Sequence, residues 1–181
     1  LIGSHNSATY YLDDNVASDI LSDPNQGIVS FMLSCPISIP IKCIIKRWSR
    51  CQTLSVKRQL ELGVRYLDIR VSFEKENHGN DYSSVRIVHG LNGVNFTDVL
   101  KQIASFLEEN PWEVVIIDIN HVYGVSDHET SNCNVIIEEM LHRSLGNLIY
   151  PCTSFDGNQT PLLNDLWETS HRVIILYVNT N

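Results

Sequence analysis

The stretch Val64-Arg65-Tyr66-Leu67-Asp68-Ile69-Arg70 carries the decision about the fold. Alternate side chains of a strand share a face, so Leu67, Ile69 and the following Val71 form an apolar side while Asp68 and Arg70 point together on the other. A charge taken out of water has to be paired or used, which leaves two readings of that couple: a structural ion pair inside a sheet, or part of a site. Two more segments have the same design. Leu1-Ile2-Gly3-Ser4-His5-Asn6-Ser7 is a short apolar run breaking into a turn with a histidine, and Val85-Arg86-Ile87-Val88-His89-Gly90 is a β-branched strand ending on a histidine and stopped by glycine. Strands that each present a polar group at the C-terminal end mark a site on the top face of a parallel barrel.

The spacing predicts a helix over Cys51 to Gly63, one after a Thr97 or Asp98 cap with Val99, Ile103, Phe106 and Leu107 on one face, and one over Asn134 to Leu145 stopped by Gly146. Glu113 to His121 is nearly continuous valine and isoleucine, as in a strand buried on both faces, and its parity sets Asp118 and Asn120 opposite His121. Leu148 to Tyr150 and Val173 to Val178 are expected strands, and Leu162 to Thr169 a short helix. The segment from Ala8 to Gly27 is expected to be largely a long loop over the active face, and Glu74 to Ser84 a polar connection. Gly27 to Ile45 is apolar but broken by polar residues and prolines, short of the roughly 20 continuous apolar residues of a spanning helix. It is either packed on the barrel or a rim that dips into lipid beside Lys42, Lys46, Arg47, Trp48 and Arg50. Alternating strands and helices predict an α/β fold, and without a glycine-rich phosphate loop a TIM-like (β/α) barrel is preferred to a doubly wound sheet.

At 181 residues, 43% hydrophobic and 19% charged, the chain is expected to be one globular domain. It starts and ends inside apparent strands, so it is expected to be a fragment, the N-terminal part of an incomplete barrel. Thirteen basic against 21 acidic residues, a net charge of −8, argue against nucleic acid as a partner. Five cysteines, an odd number without a CxxC pair, predict neither a disulfide framework nor a zinc site and suit a reducing, cytoplasmic compartment.

Should His5, Asp68, Arg70 and His89 converge, they make a phosphodiester site. One imidazole takes a proton from the attacking oxygen, the other gives one to the leaving oxygen, and the guanidinium binds the non-bridging oxygens with Asp68 holding it in register. Lysine lacks the planar fork for that last task.

Four ordered motifs, Gly3-Ser4-His5-Asn6-Ser7, Leu67-Asp68-Ile69-Arg70, Val88-His89-Gly90-Leu91 and Ile117-Asp118-Ile119-Asn120-His121-Val122-Tyr123-Gly124, resemble the successive signatures of the phosphatidylinositol-specific phospholipase C X domain. The likeness is greatest to the stand-alone X-domain proteins of animals. It implies one X domain over residues 1–181, with a TIM-like barrel that cleaves phosphoinositide lipids to diacylglycerol and inositol phosphate at a peripheral membrane surface. His5 then resembles the general base on the inositol 2-hydroxyl, His89 the general acid at the diacylglycerol oxygen, and Arg70 the phosphate clamp. Asn6, Asp118 and Asn120 are assigned to substrate binding.

Large multidomain eukaryotic members hold calcium partly through an acidic residue where this chain has Arg70, so the resemblance implies no cofactor and a metal-independent reaction. The alternative is calcium recruited by Asn6, Asp68 and Asp118. Asn6 stands where bacterial members have Asp, and the Asp that orients the first histidine in the family comes from a late strand that this chain is expected to lack. Two other functions stay beside the enzyme: a non-catalytic phosphoinositide-binding module, favoured by Asn6, and a glycerophosphodiester phosphodiesterase, which would need an acidic metal-binding pair at Asp68 and Arg70.

Overall fold

The computed structural model describes residues 1–17, 39–73, 85–125, 130–151 and 161–177. The expected connection over Glu74 to Ser84 and most of the segment between Ala8 and Ile45 lie outside the described residues. Among the described residues the strands are β1 (Ile2–Ser4), β2 (Leu12–Val16), β3 (Val64–Phe73), β4 (Val85–His89), β5 (Leu91–Asn95), β6 (Val115–Tyr123) and β7 (Val173–Tyr177). The helices are α1 (Ile39–Ser49), α2 (Val56–Glu61), α3 (Phe96–Glu109), α4 (Thr130–Leu145) and α5 (Leu163–Glu168).

One mixed sheet runs in the order β2-β5-β4-β3-β6-β7, with β1 added on β3. Strands β1, β3, β6 and β7 are parallel, as β-branched runs covered by helices should be. Leu67, Ile69, Val71 and Phe73 of β3 and Val115, Ile117 and Ile119 of β6 are buried against Val99, Ile103 and Phe106 of α3 and Ile137, Met140 and Leu141 of α4. This is the core that the alternation around Asp68 predicts.

Several expectations are corrected. Strand β4 runs antiparallel to β3, and β5 antiparallel to β4, so the histidine-bearing strands do not all point the same way. Leu12–Val16, expected as loop, is a strand paired with β5, and Asp13 in it accepts from Arg86 Nη2 at 3.0 Å. Helix α2 starts only at Val56, where Ser55 caps the amide of Arg58, and it ends as expected on Gly63, whose φ of +99° L side chains rarely adopt. Asn95 rather than Thr97 or Asp98 precedes α3, because β5 passes straight into it. Leu148 lies in a 3₁₀ turn over Gly146–Leu148, and strand pairing there is limited to a single bridge between Ile149 and Val173.

The edges of β3 explain where the histidines go. Strand β6 occupies one edge from Tyr66 to Ser72, so β1 and β4 must share the other. Parallel β1 ends opposite Leu67 and antiparallel β4 comes in along Phe73 to Val71, so the two strands meet head-on beside Asp68, Ile69 and Arg70. The gap is closed by the turn after β1. Ser7 N–H donates to the carbonyl of Asp68 at 2.8 Å, and Asp68 N–H donates to Ser7 Oγ at 2.9 Å. Ser7 Oγ also donates to the carbonyl of Ser4 at 2.8 Å, so this fully buried hydroxyl replaces two missing ladder bonds. Ser7→Ala leaves the buried Asp68 amide unpaired and is expected to cost about 1–3 kcal/mol, measured by denaturant unfolding at neutral pH.

Candidate active site

Asp68 is the centre of the polar face. His5, just past β1, donates from Nδ1 to Asp68 Oδ2 at 2.7 Å, and the backbone amide of Asn6 donates to the same oxygen at 3.0 Å. Asn120 Nδ2 donates to Asp68 Oδ1 at 2.7 Å. Burial raises the Asp68 carboxyl, but the Asn6 amide, the Asn120 side chain and His5 outweigh it and hold the group below its usual range.

Two expectations change here. Asp68 does not hold Arg70: no ion pair joins them, because both carboxylate oxygens are committed to His5, Asn6 and Asn120. His5 Nδ1, which in the family is expected to be oriented by an Asp of a late strand, here has Asp68 as its carboxylate partner. Arg70 shares the face, and its buried Nε has no partner. The second change is in β6, whose register with β3 runs Asp68 to Asp118 and Ile69 to Ile119, then jumps to pair Arg70 with His121. Asn120 is the bulged residue whose amide reaches Asp68, and His121 is carried onto the face of Arg70 instead of the opposite one. His121 stacks on Tyr123 at 5.7 Å between centroids. Asp118 reaches the same face with Oδ2 engaged by the hydroxyl of Tyr66 at 2.5 Å; that hydrogen bond, with burial and the two carboxylates, pushes the phenol up to about 12.

His89 ends β4 with its Nδ1 2.7 Å from the carbonyl of Ser49, the last residue of α1. A carbonyl only accepts, so Nδ1 carries the proton and Nε2 is left for a reacting group. The His5 and His89 rings stand 6.4 Å apart, edge to face at 82°. Asn6 Nδ2 lies 2.9 Å from His5 Nε2 and 3.6 Å from Cys51 Sγ, and that sulfur is 3.6 Å from His89 Nδ1. Cys51 and Ser7 escaped the sequence reading, since a single thiol or hydroxyl in a polar stretch has no period. Asn6 itself is buried with φ +46° and leaves Oδ1 unpartnered.

These residues do not fit calcium. Asp68 already accepts three hydrogen bonds and Asp118 the Tyr66 hydroxyl, and no group of three His, Cys, Asp or Glu suited to a metal occurs among the described residues. Arg70 adds a positive charge to the same face. A separate apolar concavity of about 510 Å³, lined by Leu1, Trp112, Leu163 and Trp167, lies where β3, β6 and β7 begin and holds none of these groups.

Fold and site thus define a class: part of an α/β barrel whose mixed sheet gathers two histidines, an arginine and a buried carboxylate on one face. The model of the phosphatidylinositol-specific phospholipase C X domain matches residues 43–177, and the chain belongs to that family. It is 34% identical to the PI-PLC X domain-containing protein 2 of Homo sapiens, over 97% of this chain and 52% of that protein. It is 32% identical to the variant-surface-glycoprotein phospholipase C of Trypanosoma brucei brucei, over 74% of this chain and 35% of that one. The phosphatidylinositol-specific phospholipase C of Listeria monocytogenes superposes with a TM-score of 0.59 at 21% identity, over 99% of this chain and 50% of its own. A Staphylococcus aureus enzyme of the same name superposes with a TM-score of 0.60 at 18% identity, over 98% of this chain and 46% of its own. The chain therefore has the fold of a partial TIM-like barrel and spans about half the length of the X domain-containing proteins it matches.

Because the Asp68 carboxyl is held low, its contribution to stability is complete above its unfolded value near 3.8 and is lost as pH falls through the lower folded value. Asp68→Asn is accordingly expected to be less stable than the parent at neutral pH, with the difference shrinking below about pH 4, in paired urea melts across that range. For Tyr66, Asp118→Asn is expected to bring the phenol down from about 12 toward 10, followed by NMR of ring-labelled tyrosine.

Proposed function

We propose that the protein is a phosphoric diester hydrolase that cleaves phosphatidylinositol-type lipids to diacylglycerol and an inositol phosphate without a bound metal. The observation that carries this is the pair of imidazoles 6.4 Å apart, each anchored through Nδ1 to an acceptor, one on a carboxylate and one on a helix-end carbonyl. His5, its tautomer set by Asp68, takes the proton of the inositol 2-hydroxyl on Nε2, where the substrate displaces the Asn6 amide. The freed oxygen attacks phosphorus, the bond to the diacylglycerol oxygen breaks, and His89, entering the step protonated on both ring nitrogens, gives its Nε2 proton to that oxygen and is left as the Nδ1–H imidazole. A cyclic phosphate results, and water opens it with the two histidines exchanging roles. Arg70, with its buried Nε lacking an acceptor, binds the non-bridging oxygens. Asn120 and Asp118 line the inositol side of the same face.

Helix α1 supports a peripheral approach to anionic lipid. Trp48 is 79% exposed, Ile44 48%, and Lys46 and Arg47 lie in its last turn. No helix among the described residues is long and apolar enough to cross a membrane. The free thiols of Cys43, Cys51 and Cys133 suit a cytoplasmic setting. The second reading is a phosphoinositide-binding module without turnover, and Asn6 seated on His5 Nε2 favours it.

Phosphatidylinositol vesicles supplied to the purified protein, in chelator and in calcium, separate these readings. His5→Ala and His89→Ala are each expected to lower turnover by about 10²- to 10⁴-fold. Activity that survives both substitutions overturns the assigned roles, and activity seen only with calcium overturns the metal-free route. Inositol headgroup binding without product establishes the module.

A further inference from the structure

We infer that Thr9 is a positioning residue that fixes the two imidazoles relative to each other; this rests on the hydrolase reading above. His5 follows β1 and His89 ends β4, and both strands are in register on β3 but not on each other, so no ladder ties the two histidines together directly. The turn after α1 does. Ser49 accepts His89 Nδ1–H through its carbonyl at 2.7 Å, and two residues on the Cys51 amide donates to Thr9 Oγ1 at 3.1 Å. The Thr9 hydroxyl in turn donates to the carbonyl of Asn6 at 2.8 Å, the peptide next to His5. One hydroxyl therefore ties the support of His89 to the loop of His5.

Two other links join the same segments, Gln52 Nε2 to the carbonyl of His5 at 2.8 Å and the longer contact from Asn6 Nδ2 to Cys51 Sγ. The Gln52 link is exposed, where water competes for both partners. Thr9 is 1% exposed and cannot exchange its bonds for solvent. Replacing its hydroxyl with a methyl group keeps the volume, strands the Cys51 amide and frees the turn that seats His89. A displacement of about 1 Å between reacting groups costs on the order of 10²-fold in rate. The loss should be largest where the leaving oxygen most needs a proton.

Thr9→Val and Thr9→Ser are compared with the parent on phosphatidylinositol and on an inositol phosphodiester whose nitrophenolate departs without proton transfer. Thr9→Val is expected to lower kcat on the lipid by about 10- to 100-fold at unchanged KM, with a clearly smaller loss on the nitrophenyl ester and recovery in Thr9→Ser. Equal losses on both substrates, or none, overturn the inference. Imidazole nitrogen NMR tests it without turnover: His89 is expected as the Nδ1–H tautomer in the parent and Thr9→Ser but mixed in Thr9→Val, and an unchanged tautomer in Thr9→Val overturns it. A tautomer shift in Thr9→Val beside a parent that cleaves no lipid overturns the hydrolase reading alone. If Thr9→Val fails to fold on a melting curve, Thr9→Ala removes the same hydroxyl with less bulk, with the same substrate split expected and its absence overturning the inference.

Discussion

A carboxylate held out of water is the constraint around which the rest is arranged. Asp68 stays ionised on the polar face of β3 because three donors from two separate places in the chain converge on it: His5, the Asn6 amide and the bulged Asn120. Each place needs its own piece of architecture. The first two donors require β1 to stop at Ser4 and turn through a buried serine; the third requires β6 to gain a residue against β3. A buried charge of this kind is costly if any partner is lost, so it couples the placement of otherwise independent segments.

Much of this was legible in the residues. Alternation around Asp68 separated core from polar face, the valine and isoleucine run of β6 announced a doubly covered strand, and both histidines sit where short strands end. Alternation reports which face a side chain takes but not which way a strand runs, so the antiparallel course of β4 was hidden. Strand β2 was hidden for a different reason: Asp13, Asp14 and Asn15 disfavour a strand locally, and only pairing with β5 and the contact of Asp13 with Arg86 override them. Parity placed Asp68 and Arg70 together without saying that either is the other's partner. A bulge in a neighbouring strand, invisible in periodicity, settled that by bringing Asn120 to the carboxylate and His121 onto the face of Arg70.

The two histidines are held by unlike means. His5 leans on a charge, while His89 leans on the last carbonyl of α1. The helix that seats His89 is the one that displays Trp48 and Ile44 to the outside, so an exposed apolar surface and the support of one imidazole are parts of one element.

The head-on meeting of β1 and β4 along one edge of β3 has an evolutionary consequence. Each added pair of residues in either strand would slide its histidine by about 6.6 Å, and a single addition would turn the ring to the helix side of the sheet. Descendants of such a chain can drift in composition along these strands, but not in their length. Indels in this lineage should therefore collect in the connections and spare the spans from Ile2 to Ser7 and from Val85 to His89.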